Sequence, residues 1–300
     1  MSKLFKILNG CLKKYKGKDP VVEIPDEVSE IGEKAFYSRR KIIKDITIHE
    51  TVTKIDEKAF EGCFNVESVC APAEFIKYIP GCSFKSVIVS SGEKIEDEAF
   101  AYCGDLESIT LAEGIREIGK AAFDDCVLLS SITLPDSIVK IDEKAFKDCL
   151  RLGSIDIPDT VTEIGDSAFI YCSDLLSINI PKGITRIGDS VFEGCAGFEA
   201  VTIPEGVTSI GKSAFEGCEY LNSVEIPSSV CEIGERAFLN CERLTSITIP
   251  KSVTSIGKYA FFGSPALTEI NCEVESKPEG WDDEWLENCE TTVNWGYKGE

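Results

Sequence analysis

Histidine is almost missing from this chain: His49 is the single one in 300 residues. Without a second imidazole, no Ser-His-Asp or Cys-His arrangement forms unless His49 itself takes part. His49 follows a strand at a place where other units carry proline, which reads as a solvated edge position. No Cys-x₂₋₄-Cys pair occurs either, so a zinc site has no usual ligand set. Glycine-rich phosphate loops of the Gly-x-Gly-x-x-Gly or Gly-x₄-Gly-Lys-Ser/Thr type are absent, and no run of acids matches a calcium loop. Paired acids such as Asp124-Asp125 and Asp282-Asp283 fall on exposed repeat positions, where solvation is the default. The chain is expected to use no cofactor and no metal, and not to be an enzyme.

Positive charge is also in short supply, with 31 Lys and Arg against 52 Asp and Glu and a net charge of −21. A chain this acidic repels nucleic acid and anionic membranes, so neither is an expected partner. The charge keeps an elongated particle soluble, or it favours cationic partners. No apolar run approaches the ~20 residues of a membrane-spanning helix. Met1–Gly10 holds lysines but no apolar stretch of signal-peptide length, so the sequence by itself points to the cytoplasm.

What the chain does have is a repeat. The Phe of an Ala-Phe or Val-Phe pair falls at Phe36, Phe60, Phe100, Phe123, Phe146, Phe169, Phe192, Phe215, Phe238 and Phe261, and from Phe100 onward the interval is 23 residues. Periods of 20–29 residues are the leucine-rich-repeat range, in which each unit packs only on its neighbours. Ser246-Ile247-Thr248-Ile249 alternates polar and apolar, as a half-buried strand does. Equivalent strands are expected at Ser108–Leu111, Ser131–Leu134, Ser154–Ile157, Ser177–Ile180, Ala200–Ile203 and Ser223–Ile226. A proline follows most of them and ends the ladder, because it has no N–H to donate. A second apolar pair, such as Val253 and Ile256, turns inward on the next side.

Next comes a column of Gly32, Gly119, Gly165, Gly188, Gly211, Gly234 and Gly257, with Asp56 and Asp142 in two units and Glu96 in a third. Gly and Asp share a tolerance of positive φ, so a left-handed turn is expected there. The Ala-Phe pair is placed on a short helical or 3₁₀ turn. Three residues on stand Cys63, Cys103, Cys126, Cys149, Cys172, Cys195, Cys218 and Cys241, one column about 5 Å per step if coils stack at strand spacing. That spacing permits disulfides; the apolar surroundings and common side-chain direction favour buried free thiols. Cys231 sits where other coils have Thr208 or Thr254 and should be accessible.

The unit Leu-x-x-Ile-x-Ile-Pro-x-x-Val-x-x-Ile-Gly-x-x-Ala-Phe-x-x-Cys resembles the BspA-like class of bacterial leucine-rich repeats over nearly the whole chain. The resemblance implies a right-handed α/β solenoid of about twelve coils, with a parallel sheet on the concave face and short helical or 3₁₀ turns opposite. It implies a cell-surface or secreted role in binding host proteins or other cells, which competes with the cytoplasmic location read from the sequence. It also implies an N-terminal cap at 1–20, a solenoid at 21–272 with an irregular short coil near 64–86, and a C-terminal cap at 273–300. All three tryptophans lie in that last segment, where capping is the plain reading and an aromatic ligand site the alternative. Ala73–Phe84 reads as a shortened coil, with a bend or a recognition loop as the other possibility.

With no chemistry in view, surface is what remains. The outward columns of the strands are Ser108, Ser131, Ser154, Ser177, Ala200, Ser223, Ser246 and Thr110, Thr133, Asp156, Asn179, Thr202, Glu225, Thr248. They are small and polar and lack the aromatic and Arg anchors of tight interfaces. Asp156, Asn179, Thr202 and Glu225 form the candidate binding surface. Leu150, Ile170, Tyr171 and Leu239, on the opposite side, form a rival patch. The expected function is non-enzymatic binding or adhesion towards a protein or glycan, with an intracellular interaction scaffold as the alternative. Both ends look closed, so a monomer is expected.

Overall fold

The computed structural model describes residues 4–80, 83–287 and 289–299. Positions 1–3, 288 and 300 of the expected terminal caps and 81–82 of the expected short coil lie outside the described residues. The chain winds into a parallel β-solenoid of about twelve turns with very little helix.

Two lines of strands run along it. The wide line begins as one six-stranded sheet made of Val21–Glu23, Asp45–Thr47, Ser68–Ala71, Ser86–Val89, Ser108–Leu111 and Ser131–Thr133, all paired in parallel in chain order. It continues as separate pieces: Ser154–Ile155 with Ser177–Ile178, Ala200–Thr202 with Ser223–Glu225, and Ser246–Ile249 with Glu269–Cys272 and Thr292–Trp295. The narrow line consists of two-residue strands at the second apolar pair, such as Glu117–Ile118, Lys140–Ile141 and Ser209–Ile210; it is interrupted between Lys54–Ile55 and Lys94–Ile95, at the short coil, and again between Glu163–Ile164 and Arg186–Ile187. At the start, Phe5–Leu8 and Cys11–Tyr15 form an antiparallel hairpin that pairs onto Glu30–Ile31. At the other end, Trp285 packs edge-on against Phe261 at 5.8 Å, and the Trp281 indole N–H donates to the Val253 carbonyl.

Between the strands the core is built of identical columns. Phe100, Phe123, Phe146 and Phe169 stack face to face with centroids 5.1–5.3 Å apart. The expected short coil is one: Ser68 pairs directly with Ser86, and a four-residue helix, Ala73–Ile76, takes the place of the missing sides.

The turn chemistry differs from expectation in two ways. Gly32, Gly119, Gly165, Gly188, Gly211, Gly234 and Gly257 are not left-handed, and neither are Asp56 and Asp142. The glycines are needed because adjacent coils touch: a Cβ on Gly234 would lie 2.6 Å from the carbonyl carbon of Gly211, and one on Gly165 would lie 2.3 Å from the Glu143 nitrogen. The left-handed residues sit two places later, at Lys34, Glu98, Ala121, Lys144, Ser167, Ser190, Ser213, Arg236 and Tyr259.

The second difference is that most Ala-Phe segments are turns, and a 3₁₀ helix, Tyr37–Arg39, follows the pair only in the first coil among the described residues. Ser167 (φ 59°) and Tyr171 (φ 61°) bracket Ala168-Phe169-Ile170, so no helix can propagate. Alternate N–H groups point instead to the next coil: Ser167 donates to the Asp189 carbonyl, Phe169 to Val191 and Tyr171 to Glu193. This third line of hydrogen bonds offsets the cost of positive φ, roughly 1–2 kcal/mol per residue.

Candidate functional site

The cysteine column is buried, and the described cysteines are free thiols. From Cys126 to Cys241 each Sγ–H of the column donates to a Phe carbonyl of an earlier coil: for example Cys149 to Phe123 at 3.2 Å, Cys172 to Phe146 at 3.1 Å and Cys195 to Phe169 at 3.2 Å. Burial pushes these thiols up: Cys63 reaches about 11, and Cys172 goes higher still. Ser264 holds the column's place near the end, and its hydroxyl donates to Phe238 in the same way. The thiols are therefore protonated hydrogen-bond donors within the core and not nucleophiles. Cys231 is exposed, as its position predicts.

Charge on the narrow line is largely satisfied within the protein. Lys94 bridges to Glu117 at 3.0 Å and Lys140 to Glu163 at 3.3 Å, while Arg186 meets both Asp166 and Asp189 across the second interruption of that line. His49 lies against Glu23, its Nε2 3.3 Å from the carboxylate, at the outer edge of the wide sheet. Among the described residues, no group of three or more His, Cys, Asp or Glu side chains is arranged to hold a metal ion.

The four candidate residues all project outward from the wide line and are exposed, but they do different things. Asp156 makes the single bridge, to Thr133, that links the six-stranded sheet to the next piece. Asn179 is occupied: its Oδ1 accepts from the Ile157 N–H at 2.9 Å, and its Nδ2 donates to the Ile157 carbonyl at 2.6 Å. It replaces strand pairing that stops at Ile155 and Ile178. Thr202 and Glu225 belong to the next piece.

Asn179 and Thr202 face each other across a gap, and Glu225 pairs in register with Thr202 on its far side. Among the described residues, no backbone hydrogen bond joins 177–184 to 200–207. Along this gap lies a groove of about 680 Å³ lined by Ile178, Asn179, Ile180, Ala200, Thr202 and Pro204, with Lys182 and Glu205 at one end. Its floor is apolar: Ile178 and Ile180 retain 9% and 8% exposure, against 4% and 0% for Ile155 and Ile157 one coil earlier. Glu225 faces a second, smaller depression of about 300 Å³ opposite Thr248, where the line breaks again.

Two substitutions in the repeat lie beside the first gap. Val191 stands where neighbouring coils have Ala168 and Ala214, and Phe198 where they have Leu175 and Leu221, all of them buried. Phe192 is tilted 15° and 23° from its neighbours Phe169 and Phe215, whereas the other full coils stack within 2–7°. Phe198 packs on it at 5.4 Å. Extra volume in a close-packed core must displace something, and the wide line parts here. The sequence reading passed over this signal, although both departures are visible in the repeat.

The rival patch is smaller than expected. Leu150 and Tyr171 are exposed, but Ile170 and Leu239 are half-buried, and the Tyr171 hydroxyl donates to Glu193 at 3.0 Å.

Stacked parallel coils with Leu, Ile, Phe and Cys columns define a leucine-rich-repeat solenoid. The BspA type leucine rich repeat region matches in six copies over residues 7–89, 93–220 and 185–292, and the chain belongs to that family. Among solved structures it is similar to a leucine-rich repeat protein from Bacteroides ovatus, at 26% identity over 95% of this chain and 94% of the other, with a TM-score of 0.55. It is also similar to a leucine rich cell surface protein from Faecalibacterium prausnitzii, at 27% identity over 100% of this chain and 94% of that one, with a TM-score of 0.49. No curated protein matches.

Proposed function

We propose that the protein is a non-enzymatic binding module of the adhesion type, recognising a protein or glycan through the outward face of its wide strand line. One observation carries this reading. The narrow line is laced by its own ion pairs, whereas the wide line presents open polar positions and two grooves where its pairing lapses. Membership of the BspA-type family supports a binding role, and this is the ground for setting catalysis aside. Among the described residues no helix is long and apolar enough to cross a membrane.

Immobilised protein challenged with purified extracellular-matrix proteins and a glycan array tests the proposal. Binding should weaken at least tenfold when Asp156, Thr202 and Glu225 are replaced together by Lys, and persist when Leu150 and Tyr171 are replaced by Ser. The reverse pattern would assign function to the opposite side.

A further inference from the structure

The gap in the wide line has more character than an open sheet surface. A second depression, of about 470 Å³, lies across the turns that precede these strands and is lined by Arg151, Ser173, Asp174, Leu176, Glu199 and Tyr220 from four successive coils. The two are neighbours along the chain, Leu176 standing two positions before Ile178 and Glu199 directly before Ala200, and between them the Glu199 N–H donates to the Leu176 carbonyl at 3.4 Å. Gly153 and Gly197 leave room on either side of Leu176, whose side chain stands 58% exposed. At roughly 3.3 Å per extended residue, a path from Asp174 to Lys182 matches about eight residues of ligand chain.

The charges along this path are uncommitted. Between Lys85 and Pro250 the described cations outside any ion pair are Arg116, Arg151, Lys182 and Arg243. Arg151 and Lys182 line the two depressions, and Arg243 stacks over the Tyr220 ring at 3.9 Å. Asp174, Glu199 and Glu205, on the same path, are likewise outside any ion pair among the described residues. Free charge of both signs sits at each end, with aliphatic floor and one hydroxyl between; among the described residues, backbone bonds cross the path at its first part, from the Gly197 N–H to Ser173 and from the Glu199 N–H to Leu176, and none joins 177–182 to 200–205.

We propose that this path, formed by 173–182 and 197–205, binds an extended peptide segment with apolar side chains in its middle and charged side chains at both ends. The inference rests on the binding role proposed above. Charge complementarity selects the occupant: a peptide carries both signs on flanking side chains, and its amides suit a gap across which strand pairing has lapsed. A glycan would find one aromatic ring, Tyr220, beside a floor of Leu176, Ile178, Ile180 and Pro204, which offers sugar hydroxyls little to bond. Val191 and Phe198 hold the path open.

A random ten-residue peptide library displayed on phage, selected on the purified chain, tests this, with enriched sequences remade as synthetic peptides for fluorescence polarisation. Peptides with an apolar centre and charged ends should be enriched. Their affinity should fall tenfold or more in Leu176→Arg and in Thr202→Trp, both at exposed positions, and stay unchanged in Ser209→Trp on the narrow line. The double variant Val191→Ala, Phe198→Leu should also weaken them while keeping the circular-dichroism spectrum. No enrichment, or enriched peptides that bind Thr202→Trp as well as the parent, overturns the proposal. If a glycan array responds and the response is lost in Thr202→Trp, the peptide assignment falls while the binding role of the wide line stands. If no peptide, glycan or matrix protein responds to any change on the wide line, both fall.

Discussion

The first six strands of the wide line and the next four are built from the same repeat, yet one set is a continuous sheet and the other is not. Inward residues do not account for the difference: Ile109 and Ile132 in the continuous part correspond to Ile155 and Ile178 in the divided part. Outward residues and packing do. The continuous part carries Glu23, Thr47, Cys70, Ile88, Thr110 and Thr133 outward, with one acid among six, whereas the divided part carries Asp156, Asn179, Thr202 and Glu225, three of which fit a pleated surface poorly. The enlarged Val191 and Phe198 add bulk on one side of the largest gap. Burial pattern thus decides that coils stack. Strand continuity is decided by residues that the pattern leaves open.

The strongest test of the comparison uses the glycine column. A Cβ on Gly234 would strike the Gly211 backbone at 2.6 Å, whereas one on Gly188, beside the interrupted narrow line, would chiefly meet the Asp166 side chain. Gly234→Val should cost about 3 kcal/mol and Gly188→Val about 1, because a side chain moves aside and a backbone does not. Urea midpoints measure both, and equal losses would mean that the coil at Gly188 is as tightly held as the others.

Alkali probes the thiol column, which runs through both parts. The folded thiols are raised above their ordinary value of 9.0, Cys63 to about 11 and Cys272 to about 12. Above pH 9 the unfolded chain loses protons that the folded chain keeps, so stability should be constant below pH 8.5 and fall as pH rises towards 11. The slope approaches about 1.4 kcal/mol per pH unit for each such thiol. Cys172→Ser should reduce the slope and keep most of the neutral-pH stability, since Ser264 already fills the column with the same bond. A slope unchanged by that substitution would remove the thiols as its cause.

Asn179→Ala should cost about 1–2 kcal/mol, because it frees both backbone groups of Ile157. Thr133→Ala, in the continuous part, should cost less. Amide exchange should be at least tenfold faster at 177–181 and 200–204 than at 86–89 and 108–111. Equal protection would show the gap closed in solution. Ser167→Gly should stabilise by about 1 kcal/mol by relieving its φ of 59°, read as a raised melting temperature.

Much of this was legible in advance. The Phe interval gave the coil, the Ser-Ile-Thr-Ile alternation gave the wide strands, and the Cys column was rightly placed in the core. The narrow strands were missed because two residues are too few to show a period, and they exist only because each is paired with the coil before and after. The glycine column was misread because a sequence shows where a side chain is absent but not why. Positive φ and close backbone contact select the same residue, and only the tertiary structure tells them apart. The candidate column of Asp156, Asn179, Thr202 and Glu225 was correctly placed on the outward face, but its members differ in ways that no column shows.

The sequence by itself determined the solenoid, its family and its core, because a repeated pattern of buried side chains can be satisfied only by stacking equivalent coils. Tertiary structure alone decided which outward residues are free, where strand pairing lapses and where the left-handed residues fall. Those depend on the distance between backbones of adjacent coils, and a single added methyl or ring in the core changes that distance without altering the repeat.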